Sequence, residues 1–94
     1  MKLIKKKYIN LGYKGLSDND LDDVLCHVIK ESSVLYELGL HDNNITLADG
    51  KLANAIAKNT TLKRLHLNSN SNNIGTKGVK QLANALKRTI YFRN

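Results

Sequence analysis

The sequence predicts an α/β chain built as a short solenoid of about three units, with a curved parallel sheet on its concave side and helices on its convex side. Two observations carry that expectation. The chain resembles itself at offsets of 27 to 30 residues, and within each copy the apolar period changes from that of a strand to that of a helix. A third observation bounds it: 94 residues make one domain with room for only a modest core.

The clearest unit spans residues 35–61. Leu35, Leu38, Leu40 and Ile45 recur as Leu62, Leu65, Leu67 and Ile74 in the unit at 62–91. In such a stretch alternate residues point to one side, as a strand buried on one face requires. A looser copy at residues 6–34 contributes Ile9, Leu11 and Leu16, and Phe92, set in the place of Leu62, opens a fourth unit at 92–94.

Each strand is followed by helical spacing: Leu21, Val24, Leu25, Val28 and Ile29; then Leu52, Ala53, Ile56 and Ala57; then Val79, Leu82, Ala83 and Leu86. A strand followed by one helix cannot bury its apolar side alone. Stacking such units supplies the missing wall and aligns the strands in parallel. Residues 17–20 (Ser-Asp-Asn-Asp) offer helix N-cap candidates, Gly50 and Gly78 fall near helix starts, and Asn59, Thr60 and Thr61 read as a helix exit.

The pattern L-x-x-L-x-L-x-x-N-x-I, followed by glycine and L-A-x-A-L, resembles the ribonuclease-inhibitor-like class of leucine-rich repeats. Residues 35–61 and 62–89 carry the resemblance best, and 6–34 loosely. It implies that Asn43 and Asn70 are buried asparagines that bond the turn backbone in a ladder, without which those turn amides would be buried and unpaired. It also implies a protein-binding scaffold. Three departures stand out. Lys14 holds the asparagine position of the first unit, which suits an N-terminal cap. The second unit is one residue short within residues 47–51. The third has two extra residues within 69–73, which leaves Asn72 as an alternative to Asn70.

Composition agrees with a globular chain, at 41% hydrophobic and 24% charged. No apolar run is long enough to span a bilayer, and no apolar stretch follows the basic N-terminus, so neither a membrane span nor a secretory leader is expected. Cys26 is the single cysteine, which points to a reducing, cytoplasmic setting and to a buried, unreactive thiol. The net charge of +7 permits an anionic partner without demanding one.

Catalysis is not expected. The three histidines lack the spacing of a metal site, His27 reads as a boundary residue on a helix, and no nucleophile sits at a strained turn or phosphate loop. No cofactor or metal is implied. Asn44 and Asn59 open glycosylation sequons that read as chance. The concave sheet face is the candidate binding surface, with Tyr8, Glu37 and Arg64 in one row, Asn10, Gly39 and His66 in the next, and Gly12, His41 and Asn68 in the third. Tyr8, Tyr13 and Tyr36 are the most anchor-like residues near it. The same face reads equally as the solvated side of a curved sheet.

The expected activity is therefore protein binding without enzymatic chemistry. Nucleic acid, contacted through residues such as Lys5, Lys6 and Lys7, is the alternative partner. A third reading is a minimal repeat unit that mainly self-associates, with a homodimer formed through its open C-terminal end. If residues 90–92 instead cap the third unit, truncation after Arg88 lowers the melting temperature clearly.

Overall fold

The computed structural model describes residues 5–21, 24–47, 50–67, 75–85 and 91–93. Short strands and helices alternate along it: β1 (Tyr8–Asn10), α1 (Asp18–Leu21), α2 (Val24–Glu31), β2 (Glu37–Gly39), α3 (Lys51–Lys58), β3 (Arg64–His66), α4 (Thr76–Ala85) and β4 (Tyr91–Arg93). The strands form one parallel sheet whose spatial order is the chain order. Every connection therefore leaves the sheet, passes through a helix and returns to the next position. On the helical side α2 packs against α3, and α3 against α4.

Alternation fixes which side of the sheet is buried. The middle residues Ile9, Leu38 and Leu65 pair in register and are all buried. Leu35, Leu40, Leu62 and Leu67 flank them with no exposure at all. They meet Leu21, Leu25, Val28, Ile29, Leu52, Ile56 and Leu82 from the helices in one core. Each such side chain fully withdrawn from water contributes roughly 1.5–3 kcal/mol before conformational entropy is charged against it.

Helix burial differs from the expected set at two alanines. Ala57 and Ala83 are exposed, whereas Ala55 is buried. The cause is the position of α3 between two helices: its buried arc runs from Ala55 through Leu52 and Ile56 to Ala53, and at about 100° per residue Ala57 falls just beyond it. Cys26 is half-buried rather than buried, because it sits where the groove between α2 and α3 opens. His27 next to it is exposed and lines the same groove. Gly78 lies buried in the first turn of α4, near the helix start as expected.

The strand register also corrects the fourth unit. Phe92 pairs with Leu65, not in the place of Leu62. Aligning the Leu-Ala-Asn-Ala helical stretches gives an offset of 30. The strands keep 27, because Phe92 follows Ala85 of its motif by seven residues, whereas Leu65 follows Ala55 by ten.

Two buried asparagines organise the connections. Asn43, after β2, is 1% exposed. Its Oδ1 accepts from the backbone N–H groups of Lys14 (3.1 Å) and Leu16 (2.9 Å) in the preceding loop. Its Nδ2 donates to the carbonyls of Leu11, Leu40 and His41 at 2.9, 3.0 and 3.1 Å. Lys14, lacking such an amide, thus has its turn held from the next unit. Asn70 and its alternative Asn72 lie outside the described residues.

Asn59 is the C-cap of α3 and equally buried. Its Oδ1 accepts from the N–H groups of Thr61 (2.8 Å) and Leu62 (2.7 Å), while Nδ2 donates to the carbonyls of Ile29 (2.8 Å) and Ser32 (3.3 Å). Ser32 performs the local half of that task one unit earlier, its Oγ accepting from Val34 and Leu35. The sequence places Asn59 at a helix exit; its reach to the preceding unit is an addition from the structure. With its side chain fully used and buried, Asn59 is shielded as a glycosylation acceptor.

At the start of α1, the Asp20 carboxylate accepts from the Ser17 N–H at 2.8 Å, one half of a capping box. Asp18 faces onward: its carboxylate accepts from the N–H groups of Thr46 and Leu47 and from the Thr46 hydroxyl. Where the second unit is one residue short, buried Leu47 and then Gly50, the N-cap of α3, adopt φ of 60° and 76°. Left-handed backbone of this kind comes without steric cost at Gly50 and with one at Leu47.

Candidate functional site

The outward-facing residues of β1 to β3 form an open face. Cα register sets Tyr8 beside Glu37 and Glu37 beside Arg64; in the next row it sets Asn10 beside Gly39 and Gly39 beside His66. Tyr8, Asn10, Glu37, Gly39, His41 and His66 surround a hollow on this side, whose floor includes the edge of Ile9. Arg64 is exposed on the same face but does not line the hollow. Asn68 lies outside the described residues.

Why the hollow exists is legible in its glycines. Gly39 is the only strand residue of the middle row without a side chain, so the sheet is dished there. Its absent Cβ would stand 3.3 Å from Asn10 Oδ1 and 3.4 Å from the His41 ring. Gly12 permits a closer approach: a Cβ there would be 2.2 Å from His41 Nε2. The His41 ring therefore lies directly over the Gly12 backbone.

Several of these side chains are held in place. Glu37 Oε2 accepts a hydrogen bond from His66 Nε2 at 2.8 Å, across the β2–β3 step, with side-chain exposures of 35% and 20%. Such a pair between neighbouring strands is worth a few tenths of a kcal/mol to about 1 kcal/mol. Asn10 Oδ1 accepts from the Gly12 N–H at 3.0 Å, so this residue shapes the turn as well as the face. His41 meets Tyr13 edge-on at 5.5 Å between ring centroids.

The aromatic rim has a second half. Tyr8, 59% exposed, stands edge-to-face with Tyr36 at 6.1 Å, and Lys7 Nζ lies 5.9 Å and 5.8 Å from the two ring centroids. Lys7 belongs to this cluster through its contact with both rings, a role its place in a lysine run did not signal. Tyr13 is 76% exposed; its hydrogen bond to Asp42, and then the charge of that carboxylate, raise its pKa above the ordinary tyrosine value. Tyr13 and Asp42 both sit at positive φ, 58° and 57°, in equivalent turns after β1 and β2.

Chemically, the face offers one hydrogen-bonded acid–base pair, two tyrosine rims and the amide of Asn10. Among the described residues, no serine, threonine or cysteine lines the hollow. Among the described residues no group of three or more His, Cys, Asp or Glu is placed to hold a metal ion, and no helix is long and apolar enough to cross a membrane. Compared with known proteins, the chain matches no family model and no curated protein.

Proposed function

We propose that the chain is a short leucine-rich-repeat solenoid that works without catalysis, binding a protein through the exposed face of its sheet in the cytoplasm. The observation that carries this reading is the dished, aromatic-rimmed hollow around Gly39 on a sheet whose other side, over β1 to β3, is core. Supporting the repeat assignment, strands spaced 29 and 27 residues apart pair in chain order, and Asn43 sits at the position where the repeat class carries its buried asparagine. Tyrosine rims suit a protein partner, because large amphipathic side chains supply contact area with little entropy to lose. A pre-set Glu37–His66 pair adds polar selectivity.

The test compares partner capture by the wild-type chain with capture by a Tyr8→Ala, His66→Ala double variant and by a variant altered only on the exposed sides of α3 and α4. A partner retained by the wild type and the helix variant, and lost from the sheet variant, is the expected result. Equal retention by all three would remove the sheet face from the reading. Insertion of a second copy of residues 35–61 tests the repeat assignment separately: a solenoid gains a strand and a helix and melts at a higher temperature.

A further inference from the structure

The residues leading into the strands form a row of their own, at the rim where chain enters the sheet. The Tyr36 N–H donates to the Lys7 carbonyl at 2.7 Å, and the Lys63 N–H donates to the Tyr36 carbonyl at 2.8 Å. Tyr36 thus has a lysine on each side, one position before the outward row of Tyr8, Glu37 and Arg64. Two strand steps separate the lysine backbones, about 10 Å. Lys7 and Lys63 are exposed, as are Lys5 and Lys6 ahead of β1. The tyrosine pair holds the Lys7 ammonium 5.9 Å and 5.8 Å from the two ring centroids, which sets its position without using its hydrogen-bond donors.

No described acid answers this row. Among the described residues, Lys5, Lys6, Lys7 and Lys63 make no ion pair. The described carboxylates are mostly engaged elsewhere: Asp18 and Asp20 bond backbone around the start of α1, Asp42 bonds Tyr13, and Glu37 accepts from His66. Glu31, at the end of α2, pairs with none of the four lysines. Asp22, Asp23 and Asp49 lie outside the described residues, in chain that runs from a strand towards α2 or α3, whereas the four lysines stand where chain leads into a strand.

The class of partner follows from charge and from ring geometry. A protein segment entering the hollow beside Tyr8 passes this row, and carboxylates on it would meet two ammonium groups without displacing an internal ion-pair partner. An extended segment advances about 3.3 Å per residue, so acids about three residues apart span the two lysines. Single-stranded nucleic acid would need open ring faces on which successive bases stack. Tyr8 and Tyr36 instead meet edge to face at 6.1 Å, with Lys7 beside both.

We infer that the partner taken by the sheet face presents an acidic segment, whose carboxylates pair with Lys7 and Lys63 across Tyr36. This rests on the sheet-face reading above and adds the chemistry of its partner. Exposed pairs are individually weak, so removing both lysines is expected to lower affinity about 2- to 30-fold, chiefly through slower association.

The probe is a short fluorescein-labelled oligoglutamate, titrated with the full chain at low salt and followed by fluorescence anisotropy, beside an oligothymidylate of equal charge. The wild type is expected to bind oligoglutamate, and oligothymidylate more weakly. A Lys7→Gln, Lys63→Gln variant should show the expected loss. A Lys77→Gln, Lys80→Gln variant removes the same charge from exposed positions of α4 and should bind almost as the wild type does. Unchanged melting curves verify that both variants are folded. No binding of oligoglutamate, equal losses from the two variants, or tighter binding of oligothymidylate would each overturn the inference. Capture of a cellular partner separates its failure from that of the sheet-face reading. A partner lost from the Tyr8→Ala, His66→Ala variant but captured undiminished by the Lys7→Gln, Lys63→Gln variant would keep the sheet face and overturn the acidic segment.

Discussion

The two rims of the sheet solve the same problem differently. Where chain leaves a strand for a helix, the turns are held in unusual backbone: Tyr13, Gly15, Asp42, Leu47 and Gly50 all have positive φ and all lie between a strand and the next helix. Where chain leaves a helix for a strand, no described residue does. There Asn59 caps the exit in extended backbone, and Ser32 and Asn59 both supply side-chain acceptors. The lesson is that the strand-exit rim holds its turns in left-handed backbone, while the helix-exit rim combines local caps with a link from Asn59 to the preceding unit.

If that contrast is right, removing the amide of Asn43 should be the most damaging single change. Asn43→Leu leaves two backbone donors and three carbonyls without their partner, and unfolding in urea should show a loss on the order of 3–5 kcal/mol. Asn59→Leu should lose somewhat less, about 2–4 kcal/mol, because most of its contacts are to Thr61 and Leu62, close by in the chain. The sharper comparison is Asn59→Ser. It should restore the caps of Thr61 and Leu62, as Ser32 does for Leu35, and recover roughly half that loss. Equal damage from Ser and Leu at position 59 would mean that the link to Ile29 and Ser32 is what matters.

Smaller changes probe strain itself. Gly50→Ala places a Cβ on left-handed backbone and should cost about 1 kcal/mol, read from the same urea midpoint. Gly12→Ala should push the His41 ring off its seat at a cost of about 0.5–1 kcal/mol that vanishes in a His41→Ala background, since the clash is with that ring. The smallest effect is alkaline. The folded state holds the Tyr13 proton more tightly than the unfolded chain, so its stabilising share is present below the ordinary tyrosine pKa and is lost as pH rises through the raised value. Phenolate absorbance should show one tyrosine titrating late, and Asp42→Asn should return it to the ordinary range.

The parallel sheet and its inward leucines were legible because alternation and spacing are enough to say which side of a three-residue strand is buried. The buried role of Asn43 was legible only through the resemblance to the repeat class, which implies an asparagine bonding the turn backbone at that position. The second role of Asn59 was available in principle, since Ser32 and Asn59 each stand three residues before a fully buried leucine, yet caps and bridges leave the same trace in sequence. The place of Phe92 was misread because helix similarity, at one offset, was allowed to set the register of a strand that follows another. At the sheet face the rows followed from the alternation. That His41 would lie over Gly12 depends on an absent side chain and a ring rotamer, neither of which periodicity encodes.

Strand partners along the chain stand 29, 27 and 27 residues apart. The chain loop that must close for each new strand to dock is therefore nearly constant in length, whichever strand is considered. Loop-closure entropy grows only with the logarithm of that length. Adding units to such a chain would leave the difficulty of each docking step unchanged, because no strand ever has to find a place between two others. If the proposed repeat assignment holds, such a molecule would be lengthened simply by copying its own coding sequence in frame.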